Sequence, residues 1–226
     1  MIKNYTGAYV INLEANKDRK KKFLKEWNKN NKINVVKAVD TRGNLWENYK
    51  QHISEKAIED LEEAIKTKKR KSHEDLSEGA VGCYLSHLKC WRKFLKESTS
   101  ENDYCLIFED DSSIPKYLFE TTSNIVKRIN AEWGMILLGW QATSQYSPFN
   151  EDLVIPKGFW QTHAYLLSNL GAKKLLEIHD KIKMPLDVFI SKYIKEIKIF
   201  GTINDICTQE NNCGYTNIQT YENTCS

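Results

Sequence analysis

Apolar residues fall in short bursts along this chain, and the bursts switch between two spacings. Gly7–Leu13 is an almost unbroken apolar run, the pattern of a strand buried on both faces. Asn16–Asn30 follows as a basic amphipathic helix with Phe23, Leu24 and Trp27 on one face. Asn34–Val39 predicts a second strand, closed by Asp40 and the turn residues Arg42, Gly43 and Asn44. Ile53–Ile65 predicts a helix, and Glu78–Lys96 a clearer one: Ala80, Tyr84, His87, Leu88, Trp91, Phe94 and Leu95 recur at helical spacing. Tyr104–Phe108 predicts a strand, and Pro115 opens a helix to about Ile129. Met135–Leu138 is a further buried strand, ended by Gly139 and Trp140; Pro148–Gly158 predicts a loop holding at most a short strand. Thr162–Leu167 predicts a strand, Ser168 a cap for the helix Asn169–His179, Pro185–Ile194 a helix and Ile197–Phe200 the last strand.

This alternation predicts an α/β fold, with a mostly parallel sheet carrying helices on both faces. Residues 1–226 carry no repeat or linker and predict a single domain, with an irregular tail from about 202 onward.

Composition changes little in that picture. Hydrophobic residues make up 41% of the chain, enough for a packed core. The formal net charge of +3 balances 33 basic against 30 acidic side chains and implies no strong pull toward nucleic acid or membrane. The chain also lacks an aromatic and basic surface stripe, which further disfavours nucleic acid. No run of about 18 apolar residues predicts a membrane span. Met1–Tyr5 lacks the layout of a secretory signal, so the expected location is the cytoplasm. The basic run Lys66–Lys71 reads as a mobile solvated loop in preference to a nuclear signal or phosphate patch, and its place before the clearest helix lets it cover a site. The six cysteines show no Cys-x-x-Cys pair, so no zinc site is expected. Cys83, Cys90 and Cys105 read as buried thiols. Cys207, Cys213 and Cys225 fall in a polar tail, where a disulfide needs an oxidising compartment.

The chemistry concentrates between Ser77 and Asp111, where a helix leads into an apolar strand ending on Glu109, Asp110 and Asp111. Three adjacent carboxylates raise one another's pKa unless a cation sits among them. Ligands of open α/β sheets bind at the carboxyl ends of strands. The pattern therefore suggests a divalent metal with a phosphate beside it.

Four blocks in order carry a resemblance to a known family. They are Val10-Ile11-Asn12-Leu13 with Asp18-Arg19; Gly79–Cys83 with Ser86-His87; Glu109-Asp110-Asp111; and Thr162–Tyr165 with Gly171-Ala172 and Pro185-Leu186-Asp187. The chain resembles glycosyltransferase family 25, which includes lipooligosaccharide and collagen galactosyltransferases. The resemblance implies the Rossmann-like GT-A fold, a UDP-galactose or UDP-glucose donor, a divalent metal and inversion at the anomeric carbon. The acceptor it implies is a hydroxyl on a glycan, lipooligosaccharide or protein. Glu109 and Asp111, alternate residues on one side of a strand, are the implied ligands of Mn²⁺ or Mg²⁺, with Asp110 turned aside or toward the ribose. Asn12, Leu13, Arg19, Ser86, His87, Asp110 and His163 are the implied donor-binding set; Arg19 suits a phosphate. His87 reads either as donor-facing or as a supporting residue behind the site, and His163 with Tyr165 could line the acceptor side. Asp187, at a helix start, is the candidate general base, or else a contact to donor sugar or metal. Trp140 and Trp160 are candidates for stacking on a sugar. The segment Thr202–Gln209 has the family's glutamine but not the proline expected before it. Intact carboxylates at 109–111 and 187 favour an enzyme over an inactive binding or adhesion relative. A metal-dependent nuclease or phosphatase also clusters acids, and there the near-neutral charge and missing aromatic-basic stripe disfavour nucleic acid.

Overall fold

The computed structural model describes residues 3–27 and 31–209, and the backbone of 222–223. In chain order the elements are β1 (Asn4–Asn12), α1 (Lys17–Glu26), β2 (Ile33–Lys37), a 3-10 helix (Leu45–His52), α2 (Glu55–Thr67), β3 (Lys69–Arg70) and α3 (Glu78–Glu97). They continue with β4 (Asp103–Glu109), α4 (Leu118–Arg128), β5 (Met135–Ala142), β6 (Ser147–Pro148), β7 (Leu153–Ile155) and β8 (Phe159–Ser168). The last are α5 (Asn169–Ile178), α6 (Leu186–Ser191), α7 (Ile194–Ile197), β9 (Ile199–Thr202) and β10 (Glu222–Asn223).

Eight strands form one sheet in the order β2-β1-β4-β8-β5-β9-β7-β6, and β3 pairs with β10 apart from it. Strands β1, β2, β4, β5, β6 and β9 run one way; β7 and β8 run against them. The α/β fold is thus the expected Rossmann-like kind, compatible with GT-A, and the reversed β8 adds a local feature. Its cause is connectivity. No helix separates β5 from β8, and strands joined without a crossover pair antiparallel.

The sheet's pleat sorts its side chains into two apolar layers. Tyr9, Ile11, Cys105, Ile107, Leu137, Tyr165 and Leu167 face one layer, which includes Tyr84, Trp91 and Phe94 of α3 and Leu175 of α5. Their neighbours Val10, Leu106, Phe108, Ile136, Leu138 and Leu166 face the other, with Phe23 and Trp27 at α1 and Leu118 and Ile125 of α4.

The helix bearing most of the site residues is fixed at its start. Ser77 caps α3 by accepting the Ala80 N–H at 3.1 Å. The Thr41 hydroxyl donates to the Glu78 carbonyl, and Ser86 accepts the Val39 N–H at 2.8 Å while donating to the Gly82 carbonyl. Gly82 sits where a Cβ would meet the Val39 carbonyl oxygen at 2.4 Å and Thr41 Oγ1 at 2.5 Å. Gly82→Ala is therefore expected to lose about 1–3 kcal/mol of stability, an overpacking cost. Thermal or urea unfolding checks this; an unchanged midpoint would show that α3 can move away freely.

Several expectations need correction. The basic run is not simply a mobile solvated loop: α2 continues through Thr67, Lys68 turns the chain at φ 56°, and Lys69–Arg70 pair with β10. Arg70 is only 3% exposed and donates to the Asp75 carbonyl at 3.2 Å. The helix expected from Pro115 starts at Leu118, because Pro115–Leu118 first closes a turn. The stretch Pro185–Ile194 splits into α6 and α7 at Lys192–Tyr193. Cys207, read as part of a polar tail, is fully buried, its N–H bonded to the Leu138 carbonyl. Cys83, Cys90, Cys105 and Cys207 are free thiols, while Cys213, Cys225 and helix positions 28–30 lie outside the described residues. Among the described residues no helix is long and apolar enough to cross a membrane.

Candidate active site

The carboxyl ends of β1, β4 and β5 meet the amino end of β8 along one edge of the sheet. Ile11 stands beside Glu109, and Phe108 beside Ala164. That register puts Asn12, the three acids and His163 side by side.

Asn12, buried at the end of β1, donates to Asp110 at 2.6 Å and to the Asn16 carbonyl at 3.0 Å. Leu13 follows it and accepts the Asn16 N–H at 2.8 Å, closing the turn into α1. Arg19, in the first turns of α1, reaches Asp110 at 3.5 Å and Asp111 at 3.3 Å. Gln209 donates to the same Asp111 oxygen at 3.2 Å. The other Asp111 oxygen, Oδ1, is buried and has no hydrogen-bond partner among the described residues. Burial, then the charges of Glu109 and Asp110, raise the Asp111 pKa to about 7. Burial also raises Asp110, against the pull of Asn12 and Arg19.

Glu109 turns toward α3 instead. Its Oε1 lies 3.3 Å from His87 Nε2 and 3.9 Å from Cys83 Sγ. Burial opposes the Glu109 charge, but the hydrogen bond and charge of His87, with His163 and Cys83, hold its pKa below the usual carboxylate range. His87 Nδ1 meets the Tyr165 hydroxyl at 2.8 Å, and Trp91 Nε1 donates to that hydroxyl at 2.8 Å. An indole N–H only donates, so Tyr165 accepts from Trp91 and keeps its own proton for His87. His87 then carries its proton on Nε2, toward Glu109.

Asp187 stands in the first turn of α6, where it accepts the N–H of Gln161 at 3.0 Å and of Val188 at 2.9 Å. Burial raises its pKa against these bonds, and the Glu109 charge adds to the rise. Gln161 itself is left-handed, at φ 70°. That conformation costs on the order of 1 kcal/mol or more, and here the Asp187 carboxylate holds it in place. Burial, then Glu109, Asp187 and Asp111, push the Cys83 thiol well up; the carboxylates at the end of β4 and the one on α6 both bear on it.

The remaining sequence candidates divide. Ser86 is buried and engaged with Val39 and Gly82. His163 donates from Nε2 to the Cys207 carbonyl at 3.1 Å, leaving a buried Nδ1 without a partner among the described residues. Tyr165 is fully buried beneath His87 and lines no open surface. Trp140 is 9% exposed; its ring packs on Gly201, where a Cβ would lie 2.5 Å from it, and its N–H bonds the Thr202 carbonyl. It is a packed residue and no sugar platform. Trp160 is 37% exposed, edge-on to His73, and next to Gln161. Sequence reasoning missed the approach of Cys83 to Glu109 and the bond from Gln209 to Asp111. Only the i, i+4 pair Cys83 and His87 was legible as a shared helix face.

Asp110 and Asp111 offer oxygen ligands only, and Asp111 Oδ1 is an unsatisfied buried oxygen in a crowded anionic site. Both features fit a hard divalent cation.

Comparison with known proteins agrees with this geometry. The profile of the family described as "Glycosyltransferase family 25 (LPS biosynthesis protein)" matches residues 5–157, which includes the first three sequence blocks but not the fourth. Procollagen galactosyltransferase 1-A of Xenopus laevis is 29% identical over 124 residues, covering 51% of this chain and 20% of that protein. Procollagen galactosyltransferase 2 of Homo sapiens is 25% identical over 197 residues, covering 82% of this chain and 30% of that protein. A protein of Bos taurus named "Probable inactive glycosyltransferase 25 family member 3" is 27% identical over 198 residues, with 82% and 31% covered. The chain spans about a fifth to a third of the length of these relatives. On the family match across 5–157, together with the sheet edge that gathers its motifs, the chain belongs to glycosyltransferase family 25.

Proposed function

We propose that the chain transfers a hexose, galactose before glucose, from a UDP-sugar to a hydroxyl on a glycan, lipooligosaccharide or protein, with inversion. The observation that carries this reading is the gathering of Glu109, Asp110 and Asp111 at one sheet edge, with Asp111 Oδ1 left unsatisfied and Asp187 bonded to Gln161 of β8. The names of the procollagen galactosyltransferases support galactose. Asp111 first, then Glu109, would hold Mn²⁺ or Mg²⁺. When bound, the metal supplies charge stabilisation to the departing diphosphate. Asn12 and the Leu13 turn shape the nucleotide end of the site. Arg19, already pointed at the acids, pairs with phosphate oxygens. Asp110 is held by Asn12 on the side where a ribose would rest. His87 steadies Glu109 from behind, and Ser86 fixes the helix that presents His87; His163, bonded to the Cys207 carbonyl, is left with Nδ1 for the donor. Asp187 accepts the acceptor's proton as the new bond forms; burial raises its pKa, which makes it a stronger base than an exposed aspartate.

Calorimetry tests the donor assignment. UDP-galactose and UDP-glucose should bind more tightly with Mn²⁺ than with EDTA, and GDP-mannose should not bind. Equal binding of all three, or none by the UDP-sugars, would reject it.

A second reading, a family member that binds donor without turning it over, draws on the relatives named as inactive. Binding with no UDP release under any metal would favour it.

A further inference from the structure

We propose that Cys83, His87 and Glu109 form a separate thiophilic metal site, suited to Zn²⁺, beside the oxygen-only pair Asp110 and Asp111. Cys83 and His87 stand one turn apart on α3 and share a face, and Glu109 reaches them from the last position of β4. Their ligand atoms all lie within 4.8 Å of one another.

The spacing fits a shared ion better than direct bonds. A charge-assisted bond between imidazole and carboxylate runs about 2.7–2.9 Å; here the two atoms are 3.3 Å apart. Tetrahedral zinc with bonds of about 2.0 Å to nitrogen and oxygen holds those atoms about 3.3 Å apart. A zinc–sulfur bond of about 2.3 Å puts sulfur about 3.5 Å from the oxygen. The observed sulfur-to-oxygen distance is 3.9 Å, within a small side-chain adjustment of that value.

The donor set points the same way. Cys83 is a thiol without an ion and loses its proton on coordinating one. Thiolate, imidazole and one carboxylate then favour a borderline-soft ion, whereas Asp110 and Asp111 favour a hard one. His87 is also mounted as metal-binding histidines are: its other ring nitrogen is held by Tyr165, and Tyr165 by Trp91. The Tyr165 hydroxyl can accept as well as donate. A metal at Nε2 requires the other tautomer, with the proton moved to Nδ1; the Tyr165 hydroxyl then turns its own proton away and accepts from both His87 and Trp91. Three protein ligands leave a fourth position open. An ion there draws Glu109 away from the acid cluster. The proposal bears on the transferase reading at one residue: an ion held by this trio takes Glu109 and leaves Asp111 with Asp110 as the oxygen ligands of the hard metal.

Cobalt(II), the spectroscopic stand-in for Zn²⁺, titrated without oxygen into the full chain tests the proposal. The expected result is a thiolate-to-cobalt charge-transfer band that saturates at one equivalent and is displaced by Zn²⁺. Excess Mn²⁺, lower in the affinity order, should leave it in place. Cys83→Ser and Cys83→Ala should both abolish the band, so the test does not depend on either variant alone. Glu109→Gln should weaken cobalt binding tenfold or more, and Asp111→Asn should leave the band at full strength. No thiolate band in the wild type, or a band undiminished in both folded Cys83 variants, would overturn the site.

Discussion

Asp111→Asn is expected to lower UDP release from a UDP-sugar by about 10²–10³-fold, as loss of one preorganised electrostatic group does. The same substitution is expected to make the metal-free protein more stable. Both follow from one arrangement. Asp111 is crowded by Glu109 and Asp110, with one oxygen buried and unpartnered, and its pKa stands at about 7. An unfolded chain releases that proton near pH 4. Between about pH 4 and 7 the folded protein therefore binds a proton that the unfolded chain has lost, and folding stability falls as pH rises through that window. Above it the full penalty applies, about 4 kcal/mol as an upper bound. Asparagine keeps an oxygen for Gln209 and Arg19 but removes the charge. Thermal unfolding in EDTA should show variant and wild type close at about pH 4 and the variant ahead at about pH 8. A wild type more stable than the variant at the higher pH would contradict this origin of the strain. Such a trade of stability for activity is common where a site concentrates like charge.

Asp187→Asn is expected to slow turnover by about 10²–10⁴-fold, the usual worth of a positioned base, with little change in donor KM. Gln161 and Val188 donate to different carboxylate oxygens; the amide oxygen can keep the Gln161 N–H, which holds the left-handed turn, while the Val188 N–H loses its acceptor. The proton-accepting role does not. Water and a glycan hydroxyl both need that base, so UDP release into water alone reports the loss. In the wild type, activity should fall on acidification at a pH above the ordinary aspartate range, because burial raises the Asp187 pKa. In the variant the acid limb that remains should be that of Asp111 alone, measured against Mn²⁺ concentration. A raised KM with unchanged kcat would instead make Asp187 a donor contact.

Much of this was legible from local pattern. The apolar run Tyr104–Phe108 ending on three acids is a buried strand whose last residues must reach an edge, and β4 does so. Ser168 caps α5 as its position predicts, accepting the Gly171 N–H at 3.1 Å. What sequence spacing could not supply were contacts between distant segments. The reversal of β8 depends on the absence of a crossover after β5. Gln209 meets Asp111 across 98 positions, from a segment with no periodicity of its own. Trp140 looked available because it follows a glycine at a strand end; the ring is instead admitted by Gly201 on the neighbouring β9. Arg70 reads as solvent-exposed charge until β10 pairs beside it. Cys83 carries no zinc signal in sequence, since its companions are one turn along a helix and across onto a strand.

The most direct test of the central claim is UDP release from UDP-galactose and UDP-glucose, with Mn²⁺ and with EDTA, by wild type and Asp111→Asn. Metal-dependent release by the wild type that EDTA and the variant both suppress is the predicted result. Release that persists in EDTA, or runs undiminished in Asp111→Asn, would contradict a metal-assisted transfer centred on this acid cluster.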